Sequence, residues 1–202
     1  MILNKKNPET LDTITTIIRD GGVAILPCDT IYGLCAVYGI GEKPLMEIKG
    51  RDKNKSFLIL ATLEQAKAIC SEIPGDILAS WPAALTVILN CRKGGTIAVR
   101  VPNDPFLQKL LTAVGSPIYS TSVNMAGEKS LTSLSAICKR FEALVDVVVR
   151  GDETQGNVPS TLIDATSKPY RLVRQGLYDA TALLKGLRLH PLKPESSTHQ
   201  SR

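Results

Sequence analysis

The chain has 202 residues, 44% of them hydrophobic and 21% charged, enough for one substantial core; it predicts one domain over 1–186 and a tail over 187–202. No apolar run approaches the ~20 residues of a membrane-spanning helix, and Met1-Ile2-Leu3-Asn4-Lys5 opens no apolar signal segment, so a cytoplasmic protein without membrane contact is expected. Net charge is +5, but the segment from Lys185 to Arg202 sets four cations against Glu195, so the body carries only a mild excess that suits an anionic small molecule as well as a nucleic acid surface.

Asn7-Pro8-Glu9 has the form of an N-cap with proline at the first helical position. Leu11, Ile14, Ile17 and Ile18 then recur at helical spacing until Gly21-Gly22 stops the run. Val23 to Pro27 is continuously apolar, the pattern of a strand buried on both faces. Cys28 to Gly33 makes a polar turn, and Leu34 to Tyr38 resumes a strand. A hydroxyl, a carboxylate and a phenol at the end of a buried strand lie where α/β proteins place ligand contacts; Thr30 and Asp29 could equally satisfy local backbone groups in a simple turn.

A short amphipathic helix over Lys43 to Ile48 leads into Lys49-Gly50-Arg51-Asp52-Lys53-Asn54-Lys55-Ser56, where four cations fall within seven residues. Glycine between Lys49 and Arg51 lets both converge on one anion; Arg forks onto phosphate oxygens while Lys acts as a point charge. The stretch reads as a polyphosphate or RNA-phosphate site, or else as a solvated turn. Phe57 to Ala61 leaves it as a strand, Thr62 caps a helix through Cys70, and Asp76 to Trp81 forms a further helical turn ended by Pro82. Leu85 to Leu89 and Thr96 to Val101 form a hairpin across Asn90 to Gly95. Arg100, on an otherwise apolar strand, is either paired with a buried carboxylate or aimed at an anionic ligand.

Asp104-Pro105 starts a helix to Val114, and Pro117 to Thr121 is a strand running into Ser122 to Gly127; the three consecutive hydroxyls Ser120-Thr121-Ser122 and Asn124 at its end suit a nucleotide's phosphates or ribose, or else act as structural caps. Leu131 to Phe141 is a helix, Val145 to Val149 a strand, Gly151 to Val158 a polar loop, and Ser160 to Asp164 with Tyr170 to Arg174 a pair of strands. A helix from Asp179 to Gly186 precedes a Pro-, Ser- and charge-rich end. Strands interleaved with helices, some joined by tight turns, predict an α/β (α+β-like) domain with a twisted, mixed parallel and antiparallel sheet flanked by helices.

The only histidines, His190 and His199, lie near the C-terminus, so Cys-His and Ser-His nucleophilic pairs and a His-rich metal site are excluded from the body. Five cysteines without a Cys-x-x-Cys pair argue against a disulfide framework and a structural zinc site. Neither G-x-x-x-x-G-K-[ST] nor G-x-G-x-x-G occurs, so a nucleotide would be held another way.

Taken in order, Pro27-Cys28-Asp29-Thr30-Ile31-Tyr32-Gly33-Leu34, Ile48-Lys49-Gly50-Arg51, Trp81-Pro82 with Leu85 to Leu89, Ala98-Val99-Arg100-Val101-Pro102, Ser122-Val123-Asn124 with Gly127, Ser160-Thr161 and Arg174-Gln175-Gly176 resemble the YrdC/YciO-like family of threonylcarbamoyl-AMP synthases. The resemblance runs from about residue 10 to 180. It implies a YrdC-like fold with a basic concave site, and an ATP-dependent nucleotidyltransferase that joins L-threonine and bicarbonate to AMP with release of pyrophosphate. Mg²⁺ would accompany ATP. The product would serve threonylcarbamoyl modification of a tRNA adenosine, through downstream threonylcarbamoyl-transferase proteins and with direct tRNA contact left open.

Carried over by position, Lys49 and Arg51 would be catalytic and, with Lys55, would face the triphosphate; Thr96, Asn124, Thr132 and Arg174 would contact the nucleotide; Thr30, Arg100, Ser122 and Ser160 would hold threonine; no residue would bind metal directly. The sequence departs from the family pattern at Pro82-Ala83-Ala84, where many members read Pro-Gly-Pro, at Ser56-Phe57, where many read Pro-Leu, and at Leu60, where some carry a threonine-contacting histidine. The alternative is a non-catalytic double-stranded RNA- or tRNA-binding module on the same fold.

Overall fold

A computed structural model describes residues 1–50, 56–151 and 158–185. The cations Arg51 and Lys55, most of the polar loop before Val158 and the segment 187–202 lie outside the described residues.

Ten strands form one mixed sheet among the described residues. They are β1 (Ile2–Asn4), β2 (Ala24–Pro27), β3 (Tyr32–Val37), β4 (Leu58–Leu60), β5 (Leu85–Asn90), β6 (Thr96–Arg100), β7 (Ile118–Ser122), β8 (Val147–Arg150), β9 (Thr161–Asp164) and β10 (Arg171–Arg174). Their order across the sheet is β1-β8-β2-β3-β7-β4-β6-β5-β9-β10. The tight turns give antiparallel pairs, β2 with β3 and β5 with β6, while the helical crossovers give parallel ones such as β4 with β6. The predicted hairpin closes with Asn90 opposite Thr96.

The helices are α1 (Thr10–Arg19), α2 (Glu42–Lys49), α3 (Leu63–Ile69), α4 (Gly75–Ser80), α5 (Pro105–Val114), α6 (Leu134–Phe141) and α7 (Thr181–Leu184). Two caps follow the sequence reading. The Thr62 hydroxyl accepts from Gln65 N and the Gln65 side chain returns to Thr62 N, a capping box; Asp104 accepts from Phe106 N and Leu107 N with Pro105 at the first turn.

Strand β3 starts at Tyr32, inside the expected turn, and other elements also depart from expectation. Asn7 does not cap α1: its side chain accepts from Glu9 N within a preceding turn, and the helix opens two residues after Pro8. Helix α6 begins at Leu134, because Leu131 N is drawn back to Val123 O at 2.8 Å and holds the chain in a loop. The last helix covers only Thr181–Leu184. Strand β1 was not expected, since three residues carry too little pattern to read; β8 holds it in parallel register.

Strand alternation splits the core into two layers. On one face Leu45, Ala66, Ile77, Ile137 and Phe141, from α2, α3, α4 and α6, pack on Ile25, Leu34, Ile59, Val87 and Val99. On the other, Ile14 and Ile18 of α1 and Leu107 and Leu111 of α5 cover Leu26, Cys35, Leu60 and Ile118. Burying each such Leu or Ile is worth roughly 1.5–3 kcal/mol. The strand residues beneath α1 and α5 come from β2, β3, β4, β7 and β8. The same face of β6, β5, β9 and β10 carries Arg100, Thr86, Leu162 and Arg174 in register, and there the sheet opens into a cleft.

Candidate active site

The cleft encloses about 260 Å³. Its floor is one face of the sheet: Gly33, Ser122 and Ser120 from β3 and β7, Leu58 from β4, Ala98 and Arg100 from β6, Thr86 from β5, Leu162 from β9 and Arg174 from β10. Thr30 and Ser160 close two sides from the loops that end β2 and precede β9. Gly33 is needed here for space: a Cβ would stand 2.7 Å from Ser120 Oγ and 3.1 Å from Cys28 Sγ.

Arg100 is 3% exposed. Its Nη1 donates to Thr30 Oγ1 at 2.8 Å and its Nη2 lies 3.3 Å from Asp29 Oδ1. Asp29 is itself held by Asn103 N at 3.3 Å. Both readings of Arg100 therefore apply: it is paired with a carboxylate and it faces the cleft. Its Nε is buried without a partner among the described residues, so donor capacity remains for an anion.

Across the cleft, Arg174 donates from Nε and Nη2 to Ser160 O at 3.3 and 2.9 Å. Burial, and then the neighbouring Arg100 cation, lower its pKa. Two guanidiniums that feel each other's charge over one cavity are an arrangement that an anion relieves. The buried Ser160 hydroxyl is 2.7 Å from Thr86 Oγ1, which fixes it from behind.

Lys49, 3% exposed, ends α2, and Gly50 turns the chain away in the left-handed region at φ 57°. Its ammonium donates to Ser122 O at 2.7 Å, Asn124 O at 3.1 Å and Asn124 Oδ1 at 2.6 Å. Ser122 Oγ donates to the same Asn124 Oδ1 at 2.6 Å, and Asn124 Nδ2 to Glu128 O at 2.6 Å. Glu128 is forked by Arg140 of α6 at 2.7 and 2.8 Å. Lys49 thus sets the shape of the loop after β7.

Thr30, Arg100, Ser122, Ser160 and Arg174 come together around the cleft. Lys49 and Asn124 lie buried behind Ser122. Thr96 is exposed at the hairpin end of β6, on the face that carries Ala98 and Arg100; Thr132 is exposed in the loop after β7. Ser120, one of the three consecutive hydroxyls at the end of β7, lines the cleft with Ser122, whereas Thr86 was missed. A lone threonine inside Leu85 to Leu89 was the available signal for it.

The departures have structural outcomes. Ser56 lines the cleft while Phe57, 2% exposed, fills the core against Tyr119. Pro82-Ala83-Ala84 is tied at both ends, Ala83 N to Val101 O and Thr161 N to Ala84 O, each at 3.0 Å. Leu60 is fully buried beneath α1 and α5, and the apolar side chain that faces the cleft is Leu58.

These features define an α/β protein with a cleft lined by hydroxyls and two arginines, whose charge suits an anion. The Sua5/YciO/YrdC family model, described as telomere recombination, matches residues 16–176. The chain belongs to that family. It is 33% identical to a threonylcarbamoyl-AMP synthase of Pyrococcus abyssi over 86% of its own length but only 57% of that relative's. A Vibrio cholerae threonylcarbamoyl-AMP synthase is 28% identical over 83% of this chain and 98% of its own. The structure of P. abyssi Sua5 complexed with L-threonine superposes with a TM-score of 0.83 at 30% identity, over 95% of this chain and 63% of that one. Among the described residues no helix is long and apolar enough to cross a membrane.

Proposed function

We propose that the protein is a threonylcarbamoyl-AMP synthase, forming threonylcarbamoyl-adenylate and pyrophosphate from L-threonine, bicarbonate and ATP. The observation that carries the reading is the cleft between Arg100 and Arg174, with hydroxyls of Thr30, Ser122 and Ser160 around it. Arg100 offers its unpartnered Nε edge to the amino acid's carboxylate. The hydroxyls are oriented by their own networks and can pair with threonine's hydroxyl, while Leu58 offers an apolar surface to its methyl group.

Threonine's amine attacks bicarbonate with loss of water, or its dehydrated form, carbon dioxide, with loss of a proton from nitrogen, to give a carbamate. A carbamate oxygen then attacks the α-phosphorus of ATP, and pyrophosphate leaves with the electrons of the broken P–O bond. The step asks for alignment and charge neutralisation rather than for a nucleophilic side chain. Arg174 neutralises phosphate charge; Asn124, held by Lys49, and exposed Thr96 and Thr132 bind the nucleotide. Arg51 and Lys55 belong to the same reading as triphosphate partners.

Mg²⁺ would enter as the counter-ion of ATP. The donors around the cleft fit an anion rather than a bare cation, since Asp29 is occupied by Arg100 and Asn103. The product serves threonylcarbamoyl-transferase proteins that modify tRNA. Incubation with ATP, Mg²⁺, bicarbonate and each amino acid in turn tests the assignment: threonine should stimulate pyrophosphate release. No stimulation by any amino acid, with salt-dependent tRNA binding, would replace the enzyme by a binding module.

A further inference from the structure

Cys70 follows α3 and Cys91 follows β5, and the two stand directly opposite each other in an antiparallel bridge outside the named strands. Ser71 N donates to Asn90 O and Arg92 N to Ile69 O, both at 2.9 Å, so the hydrogen bonds flank the pair. This is the non-hydrogen-bonded register of an antiparallel ladder, in which facing Cα atoms approach to about 4.5 Å and side chains are closest. That separation lies within the range of about 4.4–6.8 Å that a disulfide spans. The guanidinium of Arg92 fastens the same corner by donating to Lys67 O at 3.3 and 3.1 Å. Both thiols are free, Cys70 at 1% exposure and Cys91 partly exposed.

We propose that Cys70 and Cys91 form a redox modification site, which a low-molecular-weight disulfide of the glutathione class converts into a cross-strand disulfide. The accessible Cys91 thiolate attacks one sulfur of the oxidant and expels one thiolate, leaving a mixed disulfide on Cys91. The Cys70 thiolate attacks Cys91 Sγ and expels the second. Two protein thiols are oxidised and one disulfide is reduced to two thiols, with two protons released. The second step needs no solvent access, which suits a buried Cys70 facing its partner. The bridge ties α3 to the β5–β6 hairpin, whose strands carry Thr86 and Arg100.

The full chain incubated with oxidised glutathione and then alkylated in denaturant should carry two alkyl groups fewer than the reduced protein, whose five cysteines all react, with no glutathione adduct on Cys70 or Cys91. Both cysteines lie between Lys67 and Arg92, so trypsin does not separate them; cleavage at Glu72 does, and the two fragments should stay joined until reduced. Cys70→Ser, or Cys70→Ala, should stop at the mixed disulfide on Cys91. The bridged form should melt about 6–12 °C above the reduced one, as expected for a cross-link closing a loop of this length. Fragments that separate, with Cys91 glutathionylated and Cys70 alkylated, would overturn the proposal. So would a bridged form that melts no higher than the reduced one.

Discussion

Replacing Arg174 with alanine separates ligand binding from folding. The residue sits on the sheet-edge strand β10, exposed along its length with only the guanidinium end tucked half-buried into the cleft, so truncation opens no core cavity. Its donors within the protein reach one carbonyl, Ser160 O, and more weakly Ser160 Oγ at 3.4 Å. Losing these should cost about 0.5–1.5 kcal/mol of stability, the net value of an ordinary hydrogen bond, because water can reach the carbonyl once the side chain is gone. A charged hydrogen bond to phosphate is worth about 1.5–3 kcal/mol, which is about a 10- to 150-fold loss of ATP affinity. Arg174→Lys restores the charge without the planar fork and should recover part of that loss. Calorimetric titration with MgATP, with melting curves alongside, reads both quantities. Wild-type ATP affinity in a folded Arg174→Ala protein would refute the placement of the nucleotide's phosphates beside Arg174.

Lys49→Met leaves three closely spaced acceptors around Ser122 and Asn124 without their cation, so stability should fall by about 1–3 kcal/mol and ATP affinity should fall with it; urea denaturation and titration read the two effects. In Gly176→Ala the new Cβ would meet backbone atoms of Pro159 and Ser160, which cannot rotate away, so chemical denaturation should show a loss of about 1–3 kcal/mol and Arg174 should bind ATP less well. Burial first, then the hydrogen bond to Asp76, raises the Tyr170 pKa from 10.0 to about 12. The protonated phenol therefore contributes its full stability below pH 10, and the contribution is lost as pH rises through 12. Tyr170→Phe should cost about 1 kcal/mol at neutral pH and flatten stability between pH 10 and 12, read from denaturant midpoints.

Most of the strands were legible because each buried run is bounded by a turn signal: Val23 to Pro27 follows Gly21-Gly22, and Thr96 to Val101 follows Gly94-Gly95. Helix α5 declared itself through Asp104-Pro105. Boundaries were lost where a distant partner decides them, as with Leu131, whose N–H is claimed by Val123 O. Arg100 stood out because an arginine inside an apolar strand must have a reason. That Asp29 is its partner depends on long-range pairing that spacing does not encode. Lys49 reads as part of a phosphate loop from its charged neighbours; that its ammonium also ties down the loop after β7 depends on a long-range contact that spacing does not encode. Leu58 and Leu60 share one face of β4, two residues apart: α1 and α5 cover Leu60, while Leu58 lies where that face opens into the cleft.

The assignment is tested most directly by the product itself. Incubating the protein with ATP, Mg²⁺, threonine and carbon-13-labelled bicarbonate, and identifying adenylates by mass spectrometry, should give one adenylate that carries both threonine and the labelled carbon, with equimolar pyrophosphate. Serine should give little of the corresponding species and valine less, because a site that pairs with a hydroxyl can reject an analogue lacking it by up to about 10⁴-fold, whereas a missing methyl is worth only about 1–3 kcal/mol. Pyrophosphate released without a labelled adenylate, or valine serving as well as threonine, would contradict the account.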